Sequence, residues 1–161
     1  MGAYDVQNQA ISAIPVIPSN TINIPAPGIK SSGSVSAGTG IPNMTDGVTG
    51  TFLTDEVQKG DIIYNTTTTT IAIIMEVTSE TVLVLDTAIM AVGDTYEIYN
   101  GNQDNNSGLL LYVGTTGDIS VTTTQNNTVT LVNIGNASFI PISVRRVNTL
   151  GTTASNIVAL L

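Results

Sequence analysis

From residue 109 onward, apolar and polar positions alternate with a period of two in a series of short runs. Leu111-Tyr112-Val113-Gly114 leads to Gly117-Asp118-Ile119-Ser120-Val121, followed by runs at 127–131, 139–147 and 151–160. Each run is rich in Val, Ile and Thr and is bounded by Gly, Asn or Asp. That is the pattern of consecutive antiparallel strands. No nucleophile, metal cluster or phosphate loop accompanies them, so this block of sheet is expected to act through its surface.

A second patterned unit spans 52–99. Phe52-Leu53, Ile62-Ile63-Tyr64, 71–77, 81–85 and 96–99 read as five short strands joined by tight turns, which predicts a small SH3-like barrel. Residues 54–57 suit a single capped helical turn, and 87–91 is the other candidate turn. Gly-Asp recurs at Gly60-Asp61, Gly93-Asp94 and Gly117-Asp118, each time just before a strand. Glycine supplies positive φ and Asp bonds the turning backbone, so the three copies are expected to share one turn chemistry.

The remaining segments are weakly patterned. Residues 1–13 read as an exposed N-terminal arm, free or laid on a partner. In 14–24 the apolar run is broken by Pro15 and Pro18, which leaves 21–24 and Val16-Ile17 to pair at a sheet edge. Residues 25–51 are dominated by Gly, Ser, Thr and Pro. They read as an extended loop or linker: either flexible, or ordered against a neighbouring subunit through isolated Ile29, Val35, Ile41, Met44 and Val48. Residues 101–108 form a polar hinge. The expected architecture is all-β: an antiparallel β-sandwich (14–24 plus 109–161) interrupted by the long loop and by an inserted small SH3-like β-barrel (52–100).

Length and charge narrow the function. At 161 residues with 42% hydrophobic content, the chain fits one domain, or one domain with a small insertion, and has a packed core. Only 10% of residues are charged, and Thr, Asn and Ser supply the polarity instead. So lightly charged an exterior has little repulsion to keep copies apart, which favours assembly over a solitary Thr-rich β protein. The net charge is −8, and Lys30, Lys59, Arg145 and Arg146 are the only basic residues. They cannot form a phosphate-binding stripe, so neither nucleic acid nor an anionic membrane is an expected partner. Arg145 and Arg146 are expected to pair with carboxylates.

The chain has no Cys and no His. Disulfides, thiolate nucleophiles and Cys or His metal sites are therefore excluded, and the usual acid–base side chain near neutral pH is missing. Assembly in a reducing cytoplasm is compatible with this composition. The first residues lack the basic and apolar regions of a signal peptide. Met1-Gly2 starts like an acylation site, but Val6 stands where Ser or Thr is required. No apolar run approaches the ~20 residues of a membrane span.

Several local patterns carry possible chemistry. The 102–106 stretch has the alternating oxygens of a calcium loop, but Ser107 replaces the required Gly and Val113 the bidentate Glu. Asp55, Glu56 and nearby Asp61 are carboxylates in turns, which more often solvate a surface than face each other across a cleft. The five threonines 66–70 suit a solvent-facing strand end or turn. A glycan platform would need Tyr64, Tyr96 and Tyr99 exposed on one barrel face, and core or interface packing is the favoured reading. The sequons at Asn65 and Asn136 fit chance in so Asn- and Thr-rich a chain. No catalytic, cofactor-binding or metal-ligating residue is expected, and the protein reads as a non-enzyme.

The order of these runs resembles a known family. Tyr112-Val113-Gly114-x-x-Gly117-Asp118, the strand from Pro141 through Arg146 to Val147, and Gly151-Thr152-Thr153-Ala154 are similar to head-spike base proteins of gene transfer agents and related decoration proteins of tailed phages. The stretch from Pro15 to Ile24, with its Pro18-Ser19-x-Thr21, looks like that family's first strand, and the insert looks like a module of marine phage structural proteins. Leu150 and Leu161 stand where the family pattern has Thr and an aromatic. The resemblance implies a virion structural protein on the capsid exterior, assembled in the host cytoplasm. Its partners would be the major capsid protein and copies of itself as a trimer or pentamer, with a fibre or spike protein as a further candidate. The arm (1–13) and the loop (25–51) would make the contacts, and the barrel would project outward. The alternative is a receptor- or glycan-binding module of a tail or fibre.

Overall fold

The computed structural model describes residues 10–37, 43–101 and 108–161. Twelve strands form two six-stranded antiparallel sheets, and no helix occurs among the described residues. The first sheet contains β1 (Ala13–Pro15), β8 (Leu109–Thr115), β9 (Gly117–Thr123), β10 (Thr128–Ile134), β11 (Ser138–Val147) and β12 (Ser155–Leu160), in the order β1-β12-β8-β11-β9-β10. The five alternating runs of the C-terminal third thus become five strands. The 151–154 portion of the last run is turn and coil instead, with Thr153 and Ala154 N–H both donating to the Asp118 carbonyl.

The second sheet contains β2 (Ile29–Ser34), β3 (Asn43–Thr45), β4 (Ile62–Asn65), β5 (Thr70–Ser79), β6 (Val82–Leu85) and β7 (Thr95–Tyr99), in the order β2-β7-β4-β5-β6-β3. It is a curled half-barrel, and its ends meet where Ala37 bridges Thr45. The fold is therefore all-β, a sandwich with a barrel-like module, as the pattern predicted.

Three local readings change. Residues 25–51, expected to be an extended loop or linker, supply β2 and β3 and bury Val35 and Met44 in a core. Sparse apolar residues among Gly and Ser mask such short strands, because a three- or six-residue edge strand needs only one or two inward side chains. Phe52-Leu53 is not a strand. It starts a turn in which Phe52 is fully buried and Asp55 N–H donates to the Thr51 carbonyl at 2.7 Å. At the N-terminus the strand is β1, with Ile14 opposite Ala159; Val16 N–H donates on to the Ile157 carbonyl, and of 21–24 only Ile24 N–H reaches the sheet, at the Arg145 carbonyl, without forming a strand. Residues 1–9 of the expected arm lie outside the described residues. Ile11 and Ser12 N–H both donate to the Leu161 carbonyl, so the described end of that arm is tied to the sandwich.

Two cores result. One lies between the sheets and joins Leu109, Leu111, Val113, Ile119, Val121, Val144 and Ile157 to Ile62, Tyr64 and Tyr99 of the curled sheet. The other fills the curl with Phe52, Ile63, Ile74, Leu83, Tyr96 and Ile98. Strand β4 separates them, which explains its continuous apolar run: Ile62 and Tyr64 point one way, Ile63 the other.

Two of the Gly-Asp pairs are the same turn. Asp61 N–H donates to the Gln58 carbonyl, and Gln58 N–H returns to Asp61 Oδ2 at 3.0 Å. Asp94 and Ala91 repeat this, with Ala91 N–H 2.9 Å from Asp94 Oδ2. Gly60 (φ 95°) and Gly93 (φ 91°) take the left-handed position that such a turn requires. Gly117-Asp118 differs, since it lies inside β9 opposite Ile134. Glycine stands there because a Cβ would meet Ala154 N at 2.5 Å.

Candidate functional site

Strand β8 is apolar in both phases: Leu109, Leu111 and Val113 face the inter-sheet core, so Leu110 and Tyr112 face away from it. Register extends that outer phase across four strands. Pro15 lies opposite Val158, Val158 opposite Tyr112, and Tyr112 opposite Phe139. A second row runs from Ala13 through Leu160 to Leu110. Directly opposed residues share a face and touch, and the Tyr112 and Phe139 rings sit 5.3 Å apart at 60°. Phe139 is 68% exposed and Leu110 48%.

This outer face carries no formal charge over β1, β8 and β12, and on β11 only Arg145 and Arg146 follow, beyond the irregularity between Ile140 and Val144. Contiguous exposed apolar surface of this kind marks an interaction site. The charge lies elsewhere. Asp46, Asp55, Glu56, Asp61, Glu76, Glu80, Asp86, Asp94 and Glu97 all belong to the half built around the curled sheet, whereas Asp118 is the one described carboxylate of the other half. The two sheets pack face to face, so the neutral apolar face and the acidic half lie on opposite sides of the molecule.

The two arginines do not form the expected ion pairs. Arg145 Nη1 donates to Asn126 Oδ1, and Arg146 Nε donates to Asn148 Oδ1 at 3.0 Å. Their sheet offers only Asp118, whose Oδ1 already accepts Asn133 N–H at 2.9 Å. Among the described residues the ion pair is Lys30 with buried Asp61, at 2.7 Å.

The other candidates are structural in placement. Asp61 also accepts Gln58 and Gly101 N–H, while Asp55 accepts the Thr51 hydroxyl. Glu80 caps the 52–56 turn through Leu53 N–H, Thr54 N–H and the Thr54 hydroxyl. The Thr54 bonds hold its carboxyl below the usual carboxylate value. Tyr64, Tyr96 and Tyr99 are buried, with the Tyr64 and Tyr99 rings 5.0 Å apart. Burial pushes all three phenols far above their ordinary value. None of them offers a platform to a sugar.

Of the five threonines, 66–69 form an exposed hairpin turn, in which Asn65 Oδ1 accepts Thr67 and Thr68 N–H, and Thr70 begins β5. Asn65 is buried, whereas Asn136 is exposed. The 102–106 stretch lies outside the described residues. Among the described residues no cluster of three or more carboxylates forms a metal cage, and no helix is long and apolar enough to cross a membrane.

Sequence reasoning looked for contacts in the arm and the loop and missed the outer sheet face. The signal was present in Leu109-Leu110-Leu111-Tyr112-Val113 and Ile157-Val158-Ala159-Leu160, where alternation gives way to apolar residues in both phases. Strands of that kind read as covered on both sides. No family model, curated protein or solved structure matches the chain.

Proposed function

We propose that this is a virion structural protein, a homo-oligomeric capsid decoration or head-spike base protein, which lays the outer face of its first sheet on the exterior of a phage-type capsid. The observation that carries the reading is the uncharged apolar face around Leu110, Tyr112, Phe139, Val158 and Leu160, turned away from the acidic half. The family resemblance supplies the kind of particle. The major capsid protein is the partner, and assembly takes place in the host cytoplasm. The acidic curled sheet then points away from the shell, where a fibre or spike protein would dock. The 25–51 segment is not a free arm, because β2 and β3 hold it within the protein's own sheet.

Phe139→Lys and Leu110→Lys test this directly. Both positions are exposed, so stability should fall by no more than about 1.5 kcal/mol, the loss of the Tyr112–Phe139 ring pair included, while burying an unpaired ammonium opposes docking. Occupancy on shells co-expressed with the major capsid protein, read by cryo-EM, should fall at least tenfold. Unchanged occupancy would reject the reading.

A further inference from the structure

We propose that β10 pairs edge to edge, antiparallel, with β10 of a second copy, so that two first sheets become one continuous sheet across a two-fold axis. The inference deepens the self-association in the functional reading and rests on that part alone, since it requires no shell.

The four sheet edges of the molecule are not equivalent. Edge strand β1 is three residues long and ends in Pro15, which has no N–H to offer. The other sheet's edges, β2 and β3, are drawn together by the curl: Ser36 N–H donates to the Thr45 carbonyl at 2.8 Å and Ala37 bridges Thr45. Strand β10 has no such protection along its first residues. It is seven residues long, lacks Pro and formal charge, and is almost entirely Thr, Val, Leu and Ile. Val129 is 40% exposed and Val132 64%.

The ladder shows which main-chain groups are free. Thr123 N–H donates to the Asn127 carbonyl at 2.9 Å. Alternation along an antiparallel pair then turns the N–H and C=O groups of Val129 and Leu131 toward β9 and those of Thr128 and Thr130 outward. No described residue bonds these outward groups. Beyond Leu131 the register shifts, and Asn133 takes φ 54°, so regular pairing stops there.

A second copy is the occupant that this arrangement fits. With the other described edges closed, no complementary edge exists for head-to-tail addition, and β10 can meet only its own equivalent. Such a contact is isologous: it uses up both open edges and ends at a dimer instead of growing a fibre. Centring the axis on Val129 keeps the pairing clear of the irregularity. Thr128 then faces Thr130 of the second copy through hydrogen-bonded main chains, and Val129 faces its own counterpart with Cα atoms about 4.5 Å apart. The absence of charge on β10 lets two molecules of net charge −8 approach there without like charges in contact.

Sedimentation equilibrium of the purified protein should give twice the 16.7 kDa chain mass. Thr130→Pro, which removes one outward N–H, and the double variant Thr128→Lys/Thr130→Lys, which sets Lys opposite Lys, should each weaken dimerisation at least tenfold with the far-UV spectrum preserved. Val129→Cys, the only thiol in the chain, should give a disulfide-linked dimer on mild oxidation, because the predicted Cα spacing lies in the disulfide range of about 4.4–6.8 Å. Phe139→Lys should leave the dimer intact, which separates failure of this pairing from failure of shell docking. A monomer at about 0.1 mM or above, a trimer or pentamer, or a dimer indifferent to the folded double variant would each overturn the proposal.

Discussion

Asp46 shows how single residues hold the curled sheet together. Its carboxylate is fully buried, with Oδ1 accepting Val48 and Thr49 N–H and Oδ2 accepting the hydroxyls of Thr49 and Tyr96, the latter at 2.8 Å. Burial alone would raise its pKa, but the bonds from Thr49, Tyr96 and Val48 outweigh burial and hold the carboxyl below its usual value. A depressed folded-state pKa gives stability that is complete above the unfolded value, about 3.9, and is lost as pH falls through the folded value. Asp46→Asn should therefore cost about 1–3 kcal/mol at pH 7, and its deficit against the wild type should shrink as pH drops below about 4. Denaturant unfolding across that range checks both statements; a deficit that grows toward acid would contradict the argument. Asp46 lies in a Thr-Asp-Gly turn whose sequence reads as an ordinary surface turn, and its partner Tyr96 is fifty positions away. Nothing local could have identified it.

At the scale of elements, β4 is the strand on which both cores depend. Ile62 packs against the first sheet and Ile63 inside the curl, and both are buried. Truncating either to Ala should cost about 2–5 kcal/mol. Because the two cores share this strand, each variant should lower a single calorimetric transition; two separable transitions would show that the curled sheet unfolds as an independent unit. The strands from 109 onward were legible in the sequence because each alternates or is continuously apolar between clear turn residues. The strands β2 and β3 were not legible. Their inward residues, Ser31, Gly33 and Met44, do not form a hydrophobic pattern, and their place in the sheet is set by pairing with β7 and β6.

For the whole molecule, the separation of charge matters most. The acidic residues gather around the curled sheet, while the outer face of the first sheet is uncharged and apolar over β1, β12, β8 and the start of β11. Docking through such a face draws on apolar burial and not on ion pairing, so it should survive screening. Raising salt from about 0.05 M to about 1 M shortens the Debye length to about 3 Å, and shell occupancy should stay level or rise. A tenfold loss of occupancy would mean that the contact is ionic and lies elsewhere on the protein.

By itself the sequence determined the all-β class, the C-terminal run of strands, the lack of Cys and His chemistry, and a surface too poor in basic residues for phosphate. These follow from periodicity, turn residues and composition, all of which are local or summed properties of the chain. Tertiary structure alone decided that 25–51 closes a curled sheet, that β4 is buried on both faces, that Arg145 and Arg146 bond neutral oxygens, and that the described residues leave one face and one edge uncovered. Those outcomes depend on which strands become neighbours. In antiparallel sheets, pairing partners and the layer above a face are chosen by contacts between residues far apart in the chain, and no short window of sequence records them.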